Sequence, residues 1–164
     1  MVCDSSVIGE EAESPQQVVQ RWYEAEGGDD SPLIPSEWPQ VYWSCLVDRY
    51  PDMRVWVAHQ PYAPEAVIRS LAKDADWRVR HRLAMKRNLP ADLFSFMAAD
   101  PEPLLRMSVA RNAKTPIELV AQLAADPDRD VARVAANSLT QRQQALASKK
   151  AKARHSMWRE LDAA

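Results

Sequence analysis

The sequence predicts an all-α protein, an α-solenoid of about four 26-residue repeats with two helices each. Three observations support this fold class: the composition, an internal period and the spacing of apolar residues. Alanine is abundant, whereas the chain has only 3 glycines and as many as 12 prolines. Alanine favours helices and glycine disfavours them, while frequent prolines require the helices to be short.

The 26-residue period is visible in several registers that stay in phase, which is typical of a repeat protein. These registers hold an aspartate at Asp48, Asp74, Asp100 and Asp126, a proline at Pro64, Pro90 and Pro116, and an alanine at Ala58, Ala84, Ala110 and Ala136. The period therefore divides residues 38–141 into four copies, 38–63, 64–89, 90–115 and 116–141.

Each copy is predicted to form two helices. The repeated proline suits the first helical position, where no backbone N–H is needed, and an aspartate-rich turn ends the first helix. In the second copy, Val67, Ile68 and Leu71 share one face of the first helix, as Leu119, Val120 and Leu123 do in the fourth. Val79, Leu83 and Ala84 form the inner face of the second helix. Helices this short are marginal alone, so neighbouring copies must stack on one another.

The flanks differ in charge from the repeats. Residues 1–37 carry nine acidic side chains against one arginine, and residues 142–164 carry six basic against two acidic. Within the first segment, Ser14 and Pro15 predict a helix start and Gly27–Gly28 a stop. We expect this helix, at about 15–26, to cap the open end of the first repeat, and residues 142–164 to form a basic helix or tail.

The two cysteines, Cys3 and Cys45, are too few for a disulfide framework or a four-ligand metal site. Cys45 shares its register with Leu71, Met97 and Leu123 and is expected to be a buried apolar side chain. The N-terminus lacks the features of a signal peptide, and no apolar run is long enough to span a bilayer. These features predict a cytoplasmic protein without a membrane segment.

The segment PIELVAQLAADP followed by VARVAAN resembles the leucine-rich repeat variant family and, more loosely, HEAT repeats. The resemblance covers residues 38–141 and implies a right-handed superhelix. Some members of that family hold a cysteine-ligated iron–sulfur cluster ahead of the repeats. Only Cys3 precedes the repeats here, so we predict no cluster and no other cofactor.

HEAT repeats are similar in placing an aspartate in the turn and an arginine six residues later, where the two form hydrogen bonds between neighbouring repeats. We call this series of bonds the structural ladder. Arginine suits it because its planar guanidinium group can bond a carboxylate and the turn carbonyls at the same time. The resemblance implies a ladder made of Asp48, Arg54, Asp74, Arg80, Asp100, Arg106 and Asp126. Ala132 replaces the arginine in the fourth copy, which favours a terminal capping repeat.

In HEAT-like solenoids the second helices line the concave face, which implies an outward stripe on this chain. Tryptophan, methionine and arginine are enriched at protein interfaces, and the basic charge would suit acidic protein or phosphate. A solvated helix face remains the alternative for each residue, whereas Trp56 favours function or an inter-repeat contact. The stripe comprises Trp56, His59, Arg78, His81, Arg82, Met85, Lys86, Met107, Arg111 and Arg133.

The sequence contains no recognisable catalytic motif. His59, His81 and His155 occupy different registers without metal-ligand spacing, and three glycines cannot form a phosphate-binding loop. We therefore predict that the protein is not an enzyme.

These observations predict a non-catalytic scaffold that binds another protein through the stripe, in one variant as an immunity or antitoxin-like protein. A nucleic-acid binder is the alternative, by resemblance to HEAT-like DNA glycosylases with basic concave faces. A purely structural subunit that stacks on its own copy is a third hypothesis. We expect a monomer or weak dimer.

Overall fold

The computed structural model describes residues 14–25, 34 and 36–161, with side chains as far as Arg154. Within these ranges the secondary structure is helical without strands, so the all-α prediction is confirmed. The helices are α1 (Pro15–Glu24), α2 (Gln40–Arg49), α3 (Arg54–His59), α4 (Glu65–Leu71), α5 (Trp77–Ala84), α6 (Ala91–Ala98), α7 (Pro103–Arg111), α8 (Ile117–Leu123) and α9 (Arg129–Leu161).

The helix boundaries follow the period of the sequence. Helices α4, α6 and α8 begin at residues 65, 91 and 117, and α5, α7 and α9 begin at 77, 103 and 129. We call α2, α4, α6 and α8 the first helices and α3, α5, α7 and α9 the second helices. In the first copy a short 3-10 turn, Pro51–Met53, precedes α3.

The chain divides into two compact units, unit 1 (Met1–Leu93) and unit 2 (Phe94–Ala164), with the division inside α6. In unit 1, α1 packs on α2, α2 packs on α3 and α4, and α3 packs on α5. The predicted inner faces of α4 and α5 are buried there, with Leu71, Leu83 and Ala84 fully shielded from solvent. Cys45 is buried as expected, but its sulfur belongs to a disulfide instead of a free thiol.

In unit 2, α7 packs on α8 and α9, and α8 packs on α9. Leu105, Val109, Val120 and Val131 form a fully buried core between these helices. Leu119 was predicted to belong to the inner face of α8 but is only half-buried. The helix α9 continues without a break past residue 141, so the last second helix and the basic C-terminal segment form one element.

The N-terminal helix begins as predicted but ends earlier than predicted, at Glu24 with Ala25 as its C-cap residue, and Gly27 and Gly28 lie outside the described residues. The Ser14 hydroxyl accepts a hydrogen bond from Gln17 N–H, and Gln17 Oε1 accepts one at 2.7 Å from Ser14 N–H. These reciprocal bonds form a capping box, and Val18 and Val19 turn inward below it.

Because the capping box satisfies N–H groups that the helix cannot satisfy, we expect Ser14→Ala to lower the free energy of unfolding by about 1 kcal/mol. Gln16→Ala is the matched control, since Gln16 is an exposed residue of the same turn. Urea unfolding followed by circular dichroism measures both variants. Equal stability of the two would contradict a stabilising role for this cap.

The prolines that open the first helices lie one residue earlier than predicted. Pro64 and Pro116 are the N-cap residues of α4 and α8, and Glu65 and Ile117 are the first helical residues. Both prolines have extended ψ values, 148° and 138°, which place them just outside the helix. Their fixed φ still directs the chain into the helix that follows.

Candidate binding grooves on the second helices

Three of the four aspartates of the 26-residue register lie in the turns between first and second helices, where they order the backbone, whereas Asp48 lies in the last turn of α2. Asp74, Asp100 and Asp126 each accept a hydrogen bond from the N–H two residues later, at 2.8, 2.9 and 2.9 Å. Aspartate is suited to this turn because its short carboxylate reaches its own backbone two residues on.

The arginine that follows six residues after such an aspartate bonds the same turn. Arg106 donates to the carbonyl oxygens of Asp100 and Pro101 at 2.8 and 3.1 Å. Arg80 donates likewise to the carbonyls of Asp74 and Ala75 at 2.7 and 3.2 Å. Each arginine therefore links, by hydrogen bonds, the turn to the second helix that begins after it.

In unit 2 the same arginine reaches the aspartate of the next copy. Arg106 Nε and Nη2 donate to the two carboxylate oxygens of Asp126 at 2.8 and 2.9 Å, a bidentate pair. The two side chains are only 13% and 5% exposed. This hydrogen bonding raises the pKa of Arg106 and lowers the pKa of Asp126.

The corresponding pair in unit 1 is longer and more exposed. Arg54 Nη1 lies 3.4 Å from Asp74 Oδ2, and Arg54 Nε donates to the Val47 carbonyl at 2.7 Å. Asp48, the first aspartate of the register, is exposed. The ladder residues therefore differ between copies, with the Arg106–Asp126 pair the best shielded of those described here.

The structure places the predicted stripe residues at three depths. His59, Arg78, Met85, Arg111 and Arg133 are exposed, His81, Arg82 and Met107 are half-buried, and Trp56 and Lys86 are buried. Arg78 and Arg133 bond nearby aspartates of their own helix starts, Asp76 at 3.2 Å and Asp130 at 2.6 Å. Eight of the ten predicted stripe residues therefore have solvent-accessible side chains.

The placement of Trp56 and Lys86 on an outward surface was wrong. Trp56 is 6% exposed, and its ring centroid lies 6.4 Å from that of Trp22 in α1. Trp22 of α1 lies against this tryptophan and helps to shield a residue of the predicted outer face. Trp56 therefore belongs to the core of unit 1.

Lys86 is 8% exposed and its ammonium bonds the end of α3. Its Nζ donates to the carbonyl oxygens of Gln60 and Ala58 at 2.5 and 3.2 Å. The carbonyls at a helix C-terminus lack intrahelical partners and carry partial negative charge, so a cation is favoured there. Burial, followed by the nearby Arg82 charge, lowers the pKa of Lys86 to about 8.

A groove between the ends of α3 and α5, which we call groove 1, encloses about 280 Å³. Met85 and Pro61 supply apolar surface, whereas the arginines and Lys86 supply positive charge. Its lining residues are His59, Pro61, Arg82, Met85, Lys86, Arg87 and Asn88. Asn88 Nδ2 donates to the Pro61 carbonyl at 3.3 Å, which fixes one wall.

A second groove, groove 2, lies in unit 2 and encloses about 230 Å³. Arg111 is contributed by α7 and the other residues by α9. Its lining residues are Arg111, Arg133, Val134, Asn137, Ser138 and Gln141. Four of these lie 52 residues, or two repeat periods, after lining residues of groove 1: His59 and Arg111, Arg82 and Val134, Met85 and Asn137, Lys86 and Ser138. The two grooves thus occupy equivalent positions in the repeat.

The sequence analysis missed a register of buried polar residues. Gln60, Lys86 and Asn112 lie two residues after the recurring alanine and are at most 9% exposed. Gln60 Oε1 accepts a hydrogen bond at 2.9 Å from the N–H of Ile34, and Lys86 Nζ donates one at 2.5 Å to the carbonyl of Gln60, each to the residue 26 positions earlier. The 26-residue spacing of these polar residues is the signal in the sequence that could have identified them.

Arg142 opens the segment predicted to form a basic helix or tail, but its side chain packs against the repeats. Its guanidinium is half-buried and donates to the Thr115 carbonyl at 2.6 Å and to the Asn112 carbonyl. Burial lowers the pKa of this arginine. Arg142 therefore closes the C-terminal end of α7, much as Lys86 closes that of α3.

Among the described residues, no group of three or more histidine, cysteine, aspartate or glutamate side chains could hold a metal ion. His59 lines groove 1, whereas the His81 ring lies 5.9 Å from the Trp77 ring, and the side chain of His155 lies outside the described part. A search of the same residues for a helix with the length and apolarity of a bilayer span found none.

The amino-acid sequence matches no protein-family model, and searches of characterised proteins and of solved structures returned no match either.

Proposed function

We propose that this chain is a non-catalytic repeat scaffold that binds another protein through its second helices. The observation that carries the proposal is groove 1, where the exposed side chain of Met85 lies among Arg82, Arg87 and His59. Arginine and methionine are enriched where proteins bind proteins, and Met85 is 54% exposed. An accessible apolar residue within a cationic groove suits a partner with both apolar and acidic surface.

The fold proposed for this function is a right-handed solenoid of four repeats, related to the leucine-rich repeat variant and HEAT-like families. Three features support it: the 26-residue spacing of the helix starts, the turn aspartates, and the arginines that bond them. In this fold α1 caps the first repeat, and its packing on α2 supports that role. We propose a monomeric or weakly dimeric protein, with an immunity or antitoxin-like role as one variant.

Nucleic-acid binding is the second candidate because α9 carries Lys149, Lys150, Lys152 and Arg154, all exposed. Such a run of cations on one helix could follow a phosphate backbone. The overall charge of −2 favours a protein partner over this alternative.

The proposed function is tested with a pair of matched variants, Met85→Glu at the C-terminal end of the second helix α5 and Phe96→Glu on the first helix α6. Both residues are exposed to similar extents, 54% and 48%, so the substitutions are comparable in burial and charge. We expect affinity capture from extracts of the source cell, read by quantitative mass spectrometry, to recover a partner with the wild type and Phe96→Glu. Recovery with Met85→Glu should fall about tenfold or more, as a charge placed against an interface centre costs over 1.4 kcal/mol.

Capture that Met85→Glu leaves unchanged would contradict a role for the second helices, and so would the absence of any specific partner. Circular dichroism of both variants controls for unfolding. Loss of capture with Phe96→Glu alone would instead place the interface on the first helices.

A further inference from the structure

We propose that groove 1 is a carboxylate-binding site, and that groove 2 is its counterpart in unit 2. The ligand is an acidic segment of a protein, recognised through aspartate or glutamate side chains. This inference rests on the proposed function and specifies the chemistry of the partner.

The charges that line groove 1 favour an anion. Arg82 and Arg87 contribute guanidinium groups, Lys86 contributes a buried ammonium, and no acidic residue belongs to the described lining. The charge of Arg82 itself disfavours the charged form of Lys86, so the two cations repel each other within the groove. A bound carboxylate would offset this repulsion, and guanidinium groups bond carboxylates through parallel N–H donors.

The remaining lining favours a peptide over a free inorganic ion or a nucleic acid. Met85 and Pro61 offer apolar surface to the methylene groups of a glutamate and to the adjacent backbone. A volume of about 280 Å³ holds more than an inorganic ion alone. Nucleic-acid binding depends instead on an extended series of phosphate contacts and a strongly basic surface. The groove therefore fits an acidic side chain together with part of its chain.

The recurrence of the groove in unit 2 supports a repeated mode of recognition. In groove 2, Arg111 lies in the register of His59. Arg133 directly precedes Val134, the residue in the register of Arg82. Arg133 is already bonded to Asp130 at 2.6 Å, so part of its charge is compensated. At the registers of Arg82 and Lys86, groove 2 has the uncharged side chains of Val134 and Ser138. We therefore expect groove 1 to bind a carboxylate more strongly than groove 2.

The experiment measures fluorescence anisotropy of a labelled oligoglutamate peptide titrated with the full chain at low salt. We expect Arg82→Gln/Arg87→Gln to weaken binding about tenfold or more, since each lost charge-assisted bond contributes substantially to affinity. Lys149→Gln/Lys150→Gln removes the same charge from exposed positions on α9 and should change affinity by about twofold or less. Arg133→Gln should have an intermediate effect.

Three further ligands test what groove 1 recognises: oligoglutamine of equal length, which lacks the carboxylates, inorganic phosphate and a DNA duplex. Equal binding of oligoglutamine and oligoglutamate would overturn the proposal. So would phosphate that displaces the peptide at comparable concentration, or a duplex that binds more tightly and depends on Lys149 and Lys150. Arg87→Gln alone is the safeguard against misfolding, because Arg87 is exposed, and it too must weaken peptide binding.

The result separates this inference from the proposed function. If Met85→Glu abolishes partner capture but oligoglutamate does not bind, the scaffold function stands and the carboxylate site is wrong. If oligoglutamate binds through Arg82 and Arg87 but capture is insensitive to Met85→Glu, the groove is an anion site without the proposed protein-binding role.

Discussion

Replacement of Arg106 by alanine is expected to lower the free energy of unfolding by about 3–5 kcal/mol, because it leaves the largely buried Asp126 carboxylate without its partner. The substitution removes both bonds to Asp126 and both bonds to the carbonyls of Asp100 and Pro101. Guanidinium chloride unfolding, monitored by circular dichroism, measures the loss.

Two further variants isolate the cause of this effect. Arg106→Lys keeps the charge but cannot reproduce the planar guanidinium group. Its free energy of unfolding should therefore lie between those of the wild type and Arg106→Ala. Arg111→Ala removes an exposed arginine from the same helix and should change stability by less than about 0.5 kcal/mol. A double-mutant cycle with Asp126→Ala measures the interaction free energy between Arg106 and Asp126. A loss in Arg106→Ala no larger than that of Arg111→Ala would contradict the assigned role.

The pair should also depend on pH in a defined direction. Hydrogen bonding from Arg106 lowers the pKa of Asp126 below its ordinary value of 3.8. A carboxyl with a lowered pKa contributes stability above its unfolded-state pKa and loses it as the pH falls through the folded-state pKa. The difference in stability between the wild type and Arg106→Ala should therefore narrow only in strong acid.

Raising the pH from about 8 to about 10.5 should stabilise the wild type by about 3 kcal/mol relative to Lys86→Met, because the folded protein lacks the Lys86 proton there. The pKa of Lys86 is lowered from 10.5 to about 8, chiefly by burial. Below pH 8 both the folded and the unfolded state hold the proton, and folding carries the full cost of burying the charge. Between the two pKa values only the unfolded state holds it, so stability rises with pH.

Methionine is a suitable replacement because it preserves most of the volume of the side chain but does not titrate. Contributions that the two proteins share cancel in the difference between their stabilities. Lys73→Met provides the control, since it makes the same substitution at an exposed lysine. A stability difference for Lys86→Met that varies with pH no more than that for Lys73→Met would contradict a lowered pKa of Lys86.

The residues predicted as core and as turn formers were those whose position follows from a local rule. Leu83 and Ala84 are buried because helical spacing places them on one face, and the 26-residue period repeats that face. The turn aspartates follow from the short reach of their side chains. Such preferences depend on a few neighbouring residues, so one sequence is enough to recognise them.

The depth of individual side chains on the second helices depended on which helix lies over them. Trp56 and Lys86 were assigned to the surface by the same spacing that correctly placed Met85. The difference is that Trp22 of α1 lies against Trp56, whereas the end of α3 offers carbonyl oxygens to Lys86. Neither contact is local in sequence, because Trp22 and Trp56 lie 34 residues apart and Lys86 and Ala58 lie 28 apart.

The sequence by itself determined that this protein is helical, where α4 and α8 begin to within one residue, and that Leu83 and Ala84 face inward. Those properties arise from backbone preferences and helical periodicity, which act within a single copy. Only the tertiary structure decided that Arg82 and Arg87 share a groove with Lys86, and that Lys86 and Arg142 close helix ends. Long cationic side chains can extend into solvent or towards a backbone carbonyl, and the choice depends on the neighbouring helix that packing supplies.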